Sequence, residues 1–113
     1  MNQHISGQFW VDERYPSLSV EVGSGLIVYR EAGPENGPVI VLLHGIGSGS
    51  GSWAYFLNRF QGTHRLLAWD APGYNLSTCL LEDSPSAVEY AHALGSFLEA
   101  LDVAPAVVVA VSY

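Results

Sequence analysis

A chain of 113 residues, 49% of them hydrophobic, has room for one domain at most with a modest core, and its composition excludes a disordered chain. Eleven acidic side chains against four arginines and no lysine give a net charge of −7, which repels phosphate backbones and anionic lipid and argues against nucleic-acid and membrane partners. The lone Cys79 allows no intrachain disulfide, and no secretory leader or bilayer-length apolar run is recognisable, so the simplest expectation is a cytoplasmic protein.

In chain order, LSVEV (18–22) and GLIVYREA (25–32) mix β-branched and aromatic residues around a GSG turn and predict a strand pair. PVIVLLHG (38–45) is continuously apolar, as in a strand buried on both faces of a parallel sheet. A Gly/Ser loop follows. SWAYFLNRF (52–60) then places Trp53, Phe56, Leu57 and Phe60 on one helical face. HRLLAWD (64–70) predicts a second buried strand, closed by the turn residues APGYN. A helix opens at SPSAVEY, either with Ser84 and Pro85 as N-cap and first residue or with Ser86 and Glu89 as a capping box. Its expected apolar stripe is Val88, Ala91, Leu94, Leu98 and Leu101. DVAP ends the helix, and AVVVAV (106–111) is a third apolar strand. Strands alternating with helices imply an α/β fold with a mostly parallel sheet and a ligand site at the carboxyl ends of the strands. His44, Asp70 and Ser112 fall at those ends.

The loop LLHGIGSGSGSW admits several chemistries. A phosphate cradle of P-loop type needs a lysine, and there is none. A dinucleotide fingerprint needs a third glycine where Ser50 or Ser52 stands, although Asp70 lies about 20 residues on, where a ribose-binding acid would sit. A small nucleotide- or partner-binding module therefore stays open as an alternative. In a third reading, His44-Gly45 begins an oxyanion loop whose glycines let a backbone N–H face a reacting carbonyl. A merely flexible connection is the fourth. At the other end, Ala110-Val111-Ser112-Tyr113 has the start of the small-x-Ser-x-Gly pattern that projects a nucleophilic serine from a sharp turn.

Taken together, VIVLLHGIGSGSGSW, LLAWDAPGYNLS, SAVEYAHALGSFLEALDV and VVVAVSY resemble the N-terminal portion of an α/β-hydrolase-fold enzyme, from about residue 17 to residue 113. The resemblance implies an incomplete α/β-hydrolase sheet that ends at the nucleophile-elbow strand, within the N-terminal part of a single domain spanning 1–113. It implies Ser112 as nucleophile, with the backbone N–H groups of Ile46 and Tyr113 as oxyanion hole and His44, Gly45 and Gly47 as the oxyanion-loop motif. A serine there points to an esterase, lactonase, C–C-bond hydrolase or peptidase rather than to the aspartate-nucleophile epoxide hydrolases and dehalogenases. The implied substrates are small esters, lactones or ketone-type compounds. No Cys/His/acid cluster has metal-ligand spacing, so neither metal nor cofactor is expected.

The sequence departs from the family at Asn75, where the turn usually has glycine, and at Ala110, which replaces the elbow's first glycine. Asn tolerates left-handed geometry and Ala is small, so both turns are expected to survive. Asn36-Gly37 looks like a hairpin turn, but the family places another strand between 25–32 and 38–43, so it is read as a surface turn. The triad acid and histidine of the family follow the serine in the chain. His44 is assigned a loop-shaping role, His64 an exposed position, His92 a helix mid-face and Asp70 a turn anchor. A second chain or a C-terminal half is then expected to supply acid, base and the strand flanking AVVVAV. Without them that strand would be an exposed edge, and the chain alone would be nearly inert. Trp53, Tyr55 and Tyr74 are candidates for the pocket mouth, with core packing the plainer expectation.

Overall fold

The structure, a computed structural model, describes residues 10–111 apart from Ser24, Glu82 and Asp83. Five strands make one mixed sheet. β1 (Leu18–Val22) and β2 (Gly25–Ala32) pair antiparallel, with Leu18 opposite Tyr29. The chain then leaves the sheet through a turn closed by Gly37 N–H on Pro34 O (3.0 Å), so Asn36-Gly37 is a surface turn and not a hairpin. β3 (Val39–Leu43) enters two positions away from β2, and β4 (Arg65–Trp69) fills the gap, antiparallel to β2 and parallel to β3. β5 (Val107–Ala110) runs parallel on the other side of β3, giving the order β1-β2-β4-β3-β5. The parallel character is confined to β4, β3 and β5.

Alternation along the strands divides the core into two layers. On one face Ile40, Leu42, Leu66 and Ala68 meet Val11 and Tyr15 of the N-terminal helical segment 10–14 (α1) and its exit. Trp53, Ala54 and Leu57 complete this layer from a 3₁₀ turn (Ser50–Trp53) and the helix α2 (Ala54–Phe60). Phe56 and Phe60 pack at its margin, so the four expected residues of this helix do share one face. On the opposite face Val39, Val41, Leu67 and Trp69 are covered by Phe97 and Leu98 of α3 (Ala87–Leu101). Leu57 and Phe97 are fully buried, each contributing about 1.5–3 kcal/mol through removal from water.

The start of α3 is decided by the capping box: Ser86 is the N-cap, with both reciprocal bonds to Glu89 present. Its buried stripe is rotated from the expected one. Tyr90, Ala93, Leu94, Phe97, Leu98 and Leu101 face the sheet, whereas Val88 and Ala91 face solvent. The large rings decide the rotation, because Phe97 lies against both Tyr29 (5.4 Å) and Trp69 (5.8 Å) and Tyr90 follows from the same register. β5 has a neighbour on one side only among the described residues, and Val107 and Val108 are about half exposed (49% and 48%).

Candidate active site

The carboxyl ends of β4, β3 and β5 lie side by side, and the loops that leave β3 and β4 meet there. After β3 the chain turns at once. Ser48 N–H donates to Gly45 O (3.1 Å), which puts Ile46 and Gly47 at the centre of a tight turn with the Ile46 side chain exposed. Gly47 has φ +77°, a left-handed conformation that strains any residue with a β-carbon. Gly49 is required for a different reason. Its backbone is extended, but a β-carbon there would sit 2.7 Å from Asn75 Nδ2 and 3.0 Å from Asp70 Oδ1.

That close approach seats the loop on Asp70, which is only 2% exposed. Ser50 N–H donates to Asp70 Oδ1 (2.7 Å), Ser50 Oγ to Oδ2 (3.1 Å), and Asn75 Nδ2 to Oδ1 (2.7 Å). The backbone carbonyl of Asp70 accepts from Ser77 Oγ (2.6 Å), and Ser77 Oγ accepts from Val28 N–H (2.9 Å). Asn75 adopts φ 49°, so the departure from glycine is accommodated in the left-handed region and its side chain gains a role of its own. Asp70 thus anchors two loops. With its oxygens engaged inside the protein, it is not presented to a ribose, and this removes the support for a dinucleotide site.

His44 is similarly committed. Ala71 N–H donates to its Nε2 (3.0 Å), which assigns the ring proton to Nδ1, 3.0 Å from Gly45 O. The ring also meets Tyr74 edge-on at 4.7 Å. An imidazole whose acceptor nitrogen is occupied by a backbone N–H shapes the loop and is not free to take a proton from a serine. His64 is half-buried rather than exposed, hydrogen-bonded to Thr63 Oγ1 (2.7 Å) and packed on Phe60. His92 is exposed on α3.

Val111 N–H donates to Leu43 O (3.1 Å), which carries the β5 backbone up to the start of the His44 loop. His44, Gly45, Ser52, Trp53 and Val111 line a cavity of about 110 Å³ between the two. Ser112 and Tyr113 lie outside the described residues. Trp53 is buried and lines this cavity, Tyr74 packs against the α3-side core, and Tyr55 is an exposed ring stacked on Trp10 (5.5 Å). A larger cavity of about 430 Å³ lies elsewhere, under the β1–β2 hairpin and beside α3.

Sequence reasoning did not single out Arg30, a charged side chain only 8% exposed. Its signal was available in the alternation of β2, where Val28, Arg30 and Ala32 share one face.

Three comparisons bear on this geometry. The sequence model of the Alpha/beta hydrolase family matches residues 40–113. A 2-hydroxy-6-oxo-6-phenylhexa-2,4-dienoate hydrolase of Comamonas testosteroni is 31% identical over 82 residues, 69% of this chain and 28% of the relative. Epoxide hydrolase 2 of Caenorhabditis elegans is 38% identical over 60 residues, 53% of this chain and 16% of the relative. The crystal structure of a membrane phospholipase A superposes with a TM-score of 0.82 at 24% identity, covering 96% of this chain and 36% of that one, a likeness of fold alone. The chain therefore spans less than a third of the length of these two curated relatives.

Proposed function

The chain belongs to the α/β-hydrolase family, and from that premise we propose that it carries the nucleophile and oxyanion hole of a serine hydrolase. Ser112 Oγ would attack an acyl carbonyl carbon, and the backbone N–H groups of Ile46 and Tyr113 would hold the negative charge that develops on the carbonyl oxygen. The observation that carries the reading is the cavity between the His44-Gly45 turn and Val111, the residue directly before Ser112. A serine hydrolase needs its oxyanion donor and its nucleophile to face one point, and this cavity lies beside the chain segments that would supply both.

The general base is a second matter. His44 Nε2 is occupied by Ala71 N–H, and Asp70 accepts three donors inside the protein, so neither is available to activate a hydroxyl. We therefore assign acid and base to sequence that follows Ser112 in a longer protein or to a second polypeptide. The base would take the Ser112 proton, return it to the leaving group, and then draw a proton from the water that releases the acyl product. The substrates proposed are small esters, lactones or ketone-type compounds. One relative is named as a hydrolase of a 2-hydroxy-6-oxo dienoate, which fits an acyl carbonyl as the point of attack.

Fluorophosphonate labelling followed by peptide mass spectrometry tests the reading. The protein that supplies acid and base should be labelled on Ser112, and Ser112→Ala should abolish both label and turnover. The 113-residue chain alone should neither label nor hydrolyse p-nitrophenyl esters. A fully active Ser112→Ala variant would overturn the nucleophile assignment, and stoichiometric labelling of the chain alone would overturn the need for a supplied base.

A further inference from the structure

We propose that Arg30 is a positioning residue for the loop after β3, acting through Ser50 and Asp70, and that it couples the N-terminal segment α1 to the site. The buried guanidinium is shared between two elements. Its Nη1 donates to Tyr15 O (2.7 Å) and Val11 O (3.4 Å) at the end of α1 and pairs with the Asp12 carboxylate (3.0 Å). Its Nε donates to Ser50 Oγ (3.0 Å).

The direction of these bonds matters. Ser50 Oγ accepts from Arg30, so its own proton is available to Asp70 Oδ2 (3.1 Å), while Ser50 N–H holds Oδ1 (2.7 Å). A buried cation, a fully buried hydroxyl and a buried carboxylate therefore form one polarised series, Arg30 to Ser50 to Asp70. Ser50 opens the 3₁₀ turn directly after the Gly45–Ser48 turn, so fixing Ser50 fixes the end of the segment that presents Ile46 N–H. The planar fork explains why the residue is arginine. One lysine nitrogen would have to choose between the α1 carbonyls and Ser50.

The structural part of this inference stands on the geometry alone; its catalytic part rests on Ile46 being an oxyanion donor, as proposed above. The test uses Arg30→Lys and Ser50→Ala in the protein that carries this chain, read by backbone hydrogen exchange and by fluorophosphonate kinetics. Both variants should raise exchange at residues 46–50 by roughly 10- to 100-fold, the loss of a charge-assisted hydrogen bond. The amides of α3, on the other face of the sheet, should keep their protection. Labelling of Ser112 should slow by a similar factor with little change in the concentration of reagent needed for half-maximal rate. Wild-type exchange at 46–50 in Arg30→Lys would overturn the proposal, because charge alone would then suffice. So would a uniform loss of protection that includes α3, which would mark a general stabilising role. If the parent protein does not react with fluorophosphonate but the exchange pattern appears as expected, the hydrolase reading fails and the positioning role stands.

Discussion

Replacing Asp70 by asparagine preserves the shape of the side chain and removes its charge, which makes it the sharpest probe of what holds the candidate site. Ser50 N–H and Asn75 Nδ2 converge on Oδ1 at 2.7 Å each, and Ser50 Oγ meets Oδ2 at 3.1 Å. Hydrogen bonds to an ionised acceptor contribute about 1.5–3 kcal/mol against about 1 for a neutral one, so the two bonds on Oδ1 lose about 1 kcal/mol each. At Oδ2 the new amide N–H₂ would confront the Ser50 hydroxyl, whose oxygen already receives Arg30 Nε, costing about 1 kcal/mol more. The sum is about 3 kcal/mol. Urea unfolding followed by tryptophan fluorescence, with Trp53 and Trp69 in the core, should show the midpoint falling accordingly at unchanged slope. A loss under about 1 kcal/mol would refute the view that this carboxylate, rather than the apolar layers, sets the geometry of the two loops.

Two further outcomes can be checked. The Glu89 carboxyl is held below the usual carboxylate range, first by the side-chain and then by the backbone hydrogen bond with Ser86. A depressed folded value means that the capping contribution is complete above the unfolded value, about 4.3, and is lost as pH falls through the folded one. Helicity titrated into acid should therefore decline more gradually in Glu89→Gln than in the parent, and identical acid limbs would contradict the capping role. At the β5 edge, Val108→Lys places a charge on a half-exposed residue and should suppress aggregation of the chain alone in static light scattering, with stability changed by less than about 1 kcal/mol. Unaltered aggregation would show that this edge is not the template.

How much of this was legible in advance depends on the range of the interaction. The buried strands β3 and β4 are recognisable because each is a short apolar run bounded by turn residues. Two motifs of the candidate site were equally visible, since His44-Gly45 and Asp70-Ala-Pro-Gly73 each follow directly on the end of a strand. The face of α3 was misjudged because several residues satisfy a three-to-four spacing, and only Tyr29 and Trp69, brought over from other strands, select the one that carries Phe97. Arg30 was passed over because an arginine in a strand is ordinarily a solvated residue. Its burial depends on α1, which carries Asp12, and on Ser50 arriving from separate parts of the chain.

By itself the sequence determined the class of the protein: the alternation of strands and helices, the acidic character, and the order of His-Gly loop, turn aspartate and serine. Those properties are carried by hydrophobic periodicity and by turn-forming residues, which act over a few neighbours. Only the tertiary structure decided that β4 lies between β2 and β3, that His44 gives its acceptor nitrogen to Ala71, and that Arg30 and Asp70 are joined through Ser50. These depend on partners 20 to 40 positions apart in the chain, whose meeting is chosen by burial of both sheet faces and by the need to satisfy every polar group that goes in with them.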